Sequence, residues 1–174
     1  MEEVEAGGRR RYRPSEREAS WSDVPYLARY TAERMVRRPR GYLLASPDPD
    51  VLDVLLAHGI AVERLIEPAT VEVQAFEVTG ISASRRPNQG HFTSSVEGRY
   101  ATVEREFAAG SLWISNAQAL GHLATSLLEP ESDDGLVFWN FFDRYLAAQW
   151  SRAPQTYPVF KLHTAANLVT EPVQ

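Results

Sequence analysis

The sequence predicts an α+β fold: a mixed sheet of about five to six strands with two main helices on one side. Three observations predict it. Short apolar stretches recur at Gly41–Ala45, Ile60–Ile66, Val71–Val78, Ala101–Phe107, Ser111–Ile114 and Tyr157–Leu162, several with the period of two that suits a strand. Two other stretches, Val51–His58 and Leu120–Leu127, suit helices, and the second spaces its apolar residues by three and four. Hydrophobic residues make up 44% of the 174, with 4 Trp, 7 Tyr and 7 Phe, which is enough for a packed core.

Taken in order, residues 1–20 are polar and charged and read as a flexible tail. Arg9, Arg10 and Arg11 are surrounded by Glu2, Glu3, Glu5, Glu16 and Glu18, so a solvated tail is a better reading than a site for an acidic partner. A single domain is expected over 21–165, with 166–174 loose. Residues 22–37 admit a helix begun at Ser22 and Pro25, or an extended segment. Gly41–Ala45 is a strand, and the turn Ser46-Pro-Asp-Pro-Asp50 supplies caps for the helix after it. Gly59 can close that helix in left-handed conformation, with Ile60 packing back on Leu55. The strand–helix–strand unit ending at Ile66 predicts a right-handed crossover between parallel strands.

Val71, Val73 and Ala75 alternate, then Phe76 and Val78 take the opposite phase, which predicts a bulge near Ala75. Arg85–Gly90 is a surface loop. Ala101, Val103 and Phe107 alternate with polar residues, and Ala109–Gly110 is a hairpin turn into Ser111–Ile114. Asn116 is placed to cap a helix whose buried face is Leu120, Leu123, Ala124 and Leu127. Pro130 stops it, and Glu129 is biased to extended backbone by the proline after it. Glu131, Asp133 and Asp134 form an acidic turn. Trp139, Phe141 and Phe142 then need a large apolar surface. Gly135–Trp150 is either a second helix or a compact loop.

Composition excludes several classes. The net charge of −5 does not favour nucleic acid. No apolar run reaches the roughly 18–20 residues of a membrane span. There is no cysteine, hence no disulfide and no thiolate chemistry. The N-terminus lacks an apolar signal core, so a cytoplasmic product is the expectation.

Neither a P-loop nor a G-x-G-x-x-G nor a G-x-S-x-G elbow is present. The candidates for acid–base chemistry are His91, in a loop beside Arg85 and Arg86, and His122, within reach of Asp133 or Asp134. Their plainer readings are a surface-loop histidine and a structural hydrogen bond. His58 suits the last turn of a helix, where a cation is favourable. Glu131, Asp133 and Asp134, with Glu129, could supply oxygen ligands to calcium, but their spacing is not that of an EF-hand. The plainer reading is that they cap a helix near Gly135 and bond loop amides. Asn140 reads as a loop tie. No cofactor is expected.

The run AQALGHLATSLLEPESDDGLVFWNFFD, residues 117–143, resembles the segment following the catalytic core in bacterial zinc carboxypeptidases of the carboxypeptidase A type. RPRGYLL (38–44), LLAHGIAVERL (55–65), FAAGSLWIS (107–115) and YPVFKL (157–162) resemble pieces of the same region in the same order. The resemblance covers about residues 24–162 and implies an accessory region, with 22–37 extended. Such a peptidase holds zinc with two histidines and a glutamate, the first pair spaced three apart. Here the histidines begin HGIA, HFTS, HLAT and HTAA, none with a carboxylate at +3. No catalytic residue of that family maps onto this chain. The expectation is therefore a non-catalytic accessory or interaction domain, whose partner is a peptidase-type domain or a second copy. The alternatives are a small enzyme using His91, His122, Asp133 and Asp134, and a peptide-binding module using a sheet edge. Relatives of that family are often exported, which leaves a removed signal open.

Overall fold

The computed structural model describes residues 2–6, 9–13, 18, 20–32, 35–46, 48–146 and 155–173. The chain divides into two units, Met1–Val36 and Arg37–Gln174. In the first, β1 (Glu2–Ala6) pairs antiparallel with β2 (Arg9–Arg13). The sequence suggests an unstructured tail here, but a glutamate-rich strand lies opposite an arginine-rich one. Glu3 and Arg10 meet across the pair at 3.1 Å, an exposed contact that contributes little by itself. The Gly7–Gly8 connection and Pro14 lie outside the described residues. Residues 20–32 form neither helix nor strand, so the helix option at Ser22–Pro25 is not taken.

The second unit is built on an eight-stranded sheet. Its strands are β3 (Gly41–Leu44), β4 (Glu63–Leu65), β5 (Ala69–Ala83), β6 (Ser94–Phe107), β7 (Leu112–Ser115), β8 (Gln155–Thr156), β9 (Val159–Leu162) and β10 (Thr170–Pro172). The spatial order is β10-β4-β7-β3-β9-β5-β6, with β8 also on β5. Every recorded pairing is antiparallel. All six strands read from the sequence are present. The two additional ones, β8 (Gln-Thr) and β10 (Thr-Glu-Pro), contain no apolar alternation to read. β10 also corrects the loose C-terminus: Thr170–Pro172 pairs with β4, and Val173 N donates to Val62 O.

The expected parallel crossover is corrected too. β3 and β4 run the same way, but β7 lies between them and is antiparallel to both. A strand some fifty residues later in the chain fills the gap, which no local pattern announces. For the same reason Ala109–Gly110 is a turn but not a hairpin, since β6 pairs with β5 and β7 pairs with β3 and β4.

Helix α1 (Pro49–Ala57) starts as its cap residues dictate. The Asp48 carboxylate accepts from Asp50 N at 3.0 Å and Val51 N at 3.4 Å. At its end Gly59 has φ +77°, Gly59 N donates to Leu56 O, and Ile60 N reaches back to Leu55 O. These two bonds are those of a Schellman motif. Helix α2 (Gly121–Leu128) begins later than the sequence suggests. Its N-cap is Leu120, with no side-chain cap, and Asn116 does not serve it. Asn116 instead ties the end of β7 to Pro39 O at 3.0 Å and accepts from the Thr125 hydroxyl. The buried face is Gly121, Ala124, Leu127 and Leu128, while Leu123 is half-buried and Leu120, at the N-cap outside the helix, is exposed. Glu129 is extended at φ −70°, ψ 130°, as the following Pro130 requires.

Both helices press on one face of the sheet. Tyr42, Leu44, Leu112, Ile114, Phe76 and Val78 meet Val51 and Leu55 of α1 and Ala124, Leu127 and Leu128 of α2. The other face buries Leu43, Leu65, Val73, Ala75, Phe107, Phe160 and Leu162. This explains β5. The phase change at Ala75–Phe76 is not a bulge: pairing runs unbroken from Ala69↔Phe107 to Val78↔Gly98, and the register shifts only between Val78 and Gly80. Val73 and Ala75 cover one core and Phe76 and Val78 the other, so apolar residues of both phases are buried.

The stretch after α2 is a compact loop rather than a long helix, with one short helical turn, α3 (Asp143–Leu146). Residues 147–150 of the expected helix lie outside the described residues. Phe142 is buried against Tyr157, ring centroids 4.9 Å apart. Asn140 is the loop tie: at φ +72° its amide donates to Phe92 O, Ser94 Oγ and Asp143 Oδ2.

Candidate functional site

Polar chemistry inside the second unit converges on Glu129. The proline that ends α2 turns the chain so that this carboxylate points under the helix, onto the sheet. It is 7% exposed. Tyr42 of β3 donates to Oε1 at 2.7 Å, and Tyr100 of β6 donates to Oε2 at 3.0 Å. Lys161 of β9, 3% exposed, places Nζ 2.7 Å from Oε2 and 3.9 Å from the centroid of the Tyr100 ring. Tyr157 donates to Leu128 O at 3.1 Å beside them. Three strands and the end of a helix thus meet at one ion pair.

The electrostatics follow from burial. Desolvation, then the Glu129 charge and hydrogen bond, push the Tyr42 and Tyr100 hydroxyls far above the usual phenol range. Burial and the same carboxylate push Tyr157 well up. Desolvation lowers Lys161, opposed by the hydrogen bond and charge of Glu129. Just past the end of β9, His163 Nε2 meets Gln74 Oε1 of the neighbouring β5 at 2.9 Å, and burial with the charges of Arg37 and Lys161 lowers its titration.

A second ionic group holds α1 to α3. Burial would raise the Asp48 carboxyl, but hydrogen bonds from Arg144, Tyr145 and the amides of Val51 and Asp50 outweigh it and hold it low. Arg144 Nε lies 2.9 Å from Asp48 Oδ2.

Of the sequence candidates, His91 and Asp134 both contact Trp139. The Trp139 indole donates to Asp134 Oδ1 at 2.5 Å. The His91 ring stands edge-on to Trp139 at 5.5 Å, with Nδ1 3.3 Å from Asn140 Oδ1. His122 is exposed on the first turn of α2, and among the described residues it bonds to neither Asp133 nor Asp134. Asp133 is exposed and Glu131 half-buried. Among the described residues no three histidine, aspartate or glutamate side chains gather as metal ligands would, Glu131, Asp133 and Asp134 included. Glu129 is the C-cap of α2 and its carbonyl accepts from Ser132 N, but its carboxylate leaves the acidic turn for Tyr42, Tyr100 and Lys161.

Sequence reasoning missed the role of Lys161, Tyr42 and Tyr100. One signal was available. A lysine inside the apolar run Val159-Phe160-Lys161-Leu162 must find a buried anion, because an unpaired buried ammonium is expensive.

No family model matches the chain, and no solved structure matches it. It is similar to "Carboxypeptidase 2" of Trichophyton equinum, at 27% identity over 125 residues. "Carboxypeptidase 2" of Trichophyton tonsurans and of Trichophyton rubrum are similar at 26% over the same length. The match takes in 72% of this chain and 22% of each relative. This chain therefore contains a region related to a minor part of carboxypeptidases.

Proposed function

We propose that this chain is a non-catalytic accessory domain of the carboxypeptidase type, made to pack on a peptidase domain rather than to hydrolyse peptides. The observation that supports the reading most is the state of the buried ion pair. Both Glu129 oxygens and the Lys161 ammonium are used on one another and on Tyr42 and Tyr100. These are the groups whose chemistry a hydrolase would exploit, and here they join α2 to three strands. The limited span of the similarity agrees, since the region corresponds to 22% of the relatives' length.

The test is direct. The purified chain, supplied with zinc and a peptide bearing a free C-terminal residue, gives no release of that residue. Turnover abolished by a chelator would overturn the reading.

A further inference from the structure

We propose that two copies of this chain pair through the free edge of β6, antiparallel and centred on Ala101. β6 ends the sheet order, and among the described residues it pairs with β5 alone. The two ends of the sheet are built differently. β10, at the far end, is three residues long and finishes on Pro172, which has no N–H to offer. Short length and proline are devices that keep a sheet edge from pairing with another chain. β6 has neither: it is fourteen residues long and contains no proline and no lysine. Nor is it bulged, since the register shift in the pair falls on β5, where Thr79 is passed over.

The free groups can be assigned from the start of the strand. Thr93 O accepts from Ser84 N, inside the hairpin, whereas Ser94 N donates outside it, to Phe138 O. Bonding direction alternates along a strand. The even-numbered residues from Val96 to Glu106 therefore direct their N–H and C=O groups off the sheet. These groups match the backbone of a second extended strand.

The side chains select a second copy and a register. In an antiparallel pair of identical strands, the residue on the two-fold axis meets itself. Ala101 is small and uncharged, so it can. Around it Tyr100 stands opposite Thr102, Gly98 opposite Glu104, and Glu97 opposite Arg105, each twice. Opposite charges in facing positions favour a pair of strands, and like charges oppose it. Glu97 and Arg105 are exposed, and among the described residues neither has an ion-pair partner. Arg105 lies over the Phe160 ring at 4.3 Å, an exposed contact that it exchanges for a carboxylate in the dimer. An axis moved to Thr102 would set Arg99 against Arg105 on both sides. An axis at Gly98 would offer Glu97 to Arg99, but Glu77 already holds Arg99 at 2.8 Å.

Sedimentation of the full chain tests this. From about 1 to about 100 µM it should pass from the 19.5 kDa chain to a species of twice that mass. Thr102→Pro removes an outward N–H and leaves the bonds to β5, so it should give monomer throughout, with the thermal transition kept. Glu97→Arg should weaken the dimer about tenfold or more, and adding Arg105→Glu should restore it. This charge exchange reads the same edge even if Thr102→Pro does not fold. A monomer across the whole range would overturn the proposal. So would a dimer indifferent to a folded Thr102→Pro, or a folded double exchange that stays as weak as Glu97→Arg. Only mass is read, so hydrolysis of a peptide would overturn the accessory reading and leave this one standing.

Discussion

Replacing Lys161 by methionine should be the most damaging single change in the sheet. The side chains have similar length, so packing is nearly conserved, and what is removed is the positive charge. Glu129 would then remain 7% exposed with only two tyrosine hydroxyls to hold it. Stranding one member of a buried ion pair costs about 3–5 kcal/mol. For a chain of this size each kcal/mol moves the midpoint by about 2–4 °C, so the thermal transition should fall by about 6–20 °C. The second step isolates the pair. Glu129→Gln in the Lys161→Met background keeps an acceptor for a tyrosine and removes the orphaned charge. The double variant should recover at least half of the loss, as a double-mutant cycle in urea would show. A Lys161→Met midpoint within about 1 kcal/mol of the parent, or a double variant no more stable than the single one, refutes the claim that this pair is buried and coupled.

Three further outcomes follow from the same geometry. Tyr42, Tyr100 and Tyr157 are all raised by burial, so their contribution is complete below the unfolded phenol value of 10.0 and is lost as pH rises beyond it. Each adds a slope of up to about 1.4 kcal/mol per pH unit above that value. The lowered Lys161 acts oppositely below its unfolded value of 10.5. Tyrosinate absorbance should therefore show three phenols that ionise only on unfolding; free titration of all seven near pH 10 would contradict this. Asp48→Ala removes both the α1 cap and the Arg144 contact and should cost about 1–2 kcal/mol in urea. Because Asp48 is lowered, that difference should shrink as pH drops below the ordinary carboxylate value of 3.8. Gly98→Ala would set a Cβ 2.3 Å from Glu77 O and 2.6 Å from the Phe76 ring, and should destabilise by about 1–3 kcal/mol, measured by the same melts.

The sequence alone determined what depends on neighbours in the chain. The α1 cap and Schellman end, the stop at Pro130 and the six strands with readable apolar stretches are local events, set by turn residues and short apolar periods. The aromatic run was legible as buried because Phe142 has no stable place outside a core. What the sequence suggested of acid–base chemistry rested on proximity along the chain: among the described residues His122 makes no bond to Asp133 or Asp134, and the Glu129 carboxylate turns inward. Only tertiary structure decided the rest. That β7 would part β3 from β4, that Asn116 would clamp Pro39 instead of capping α2, and that Lys161 would find Glu129 thirty-two positions earlier all depend on long-range pairing. Such contacts are chosen by the joint burial of two sheet faces, and no window of a dozen residues contains that information.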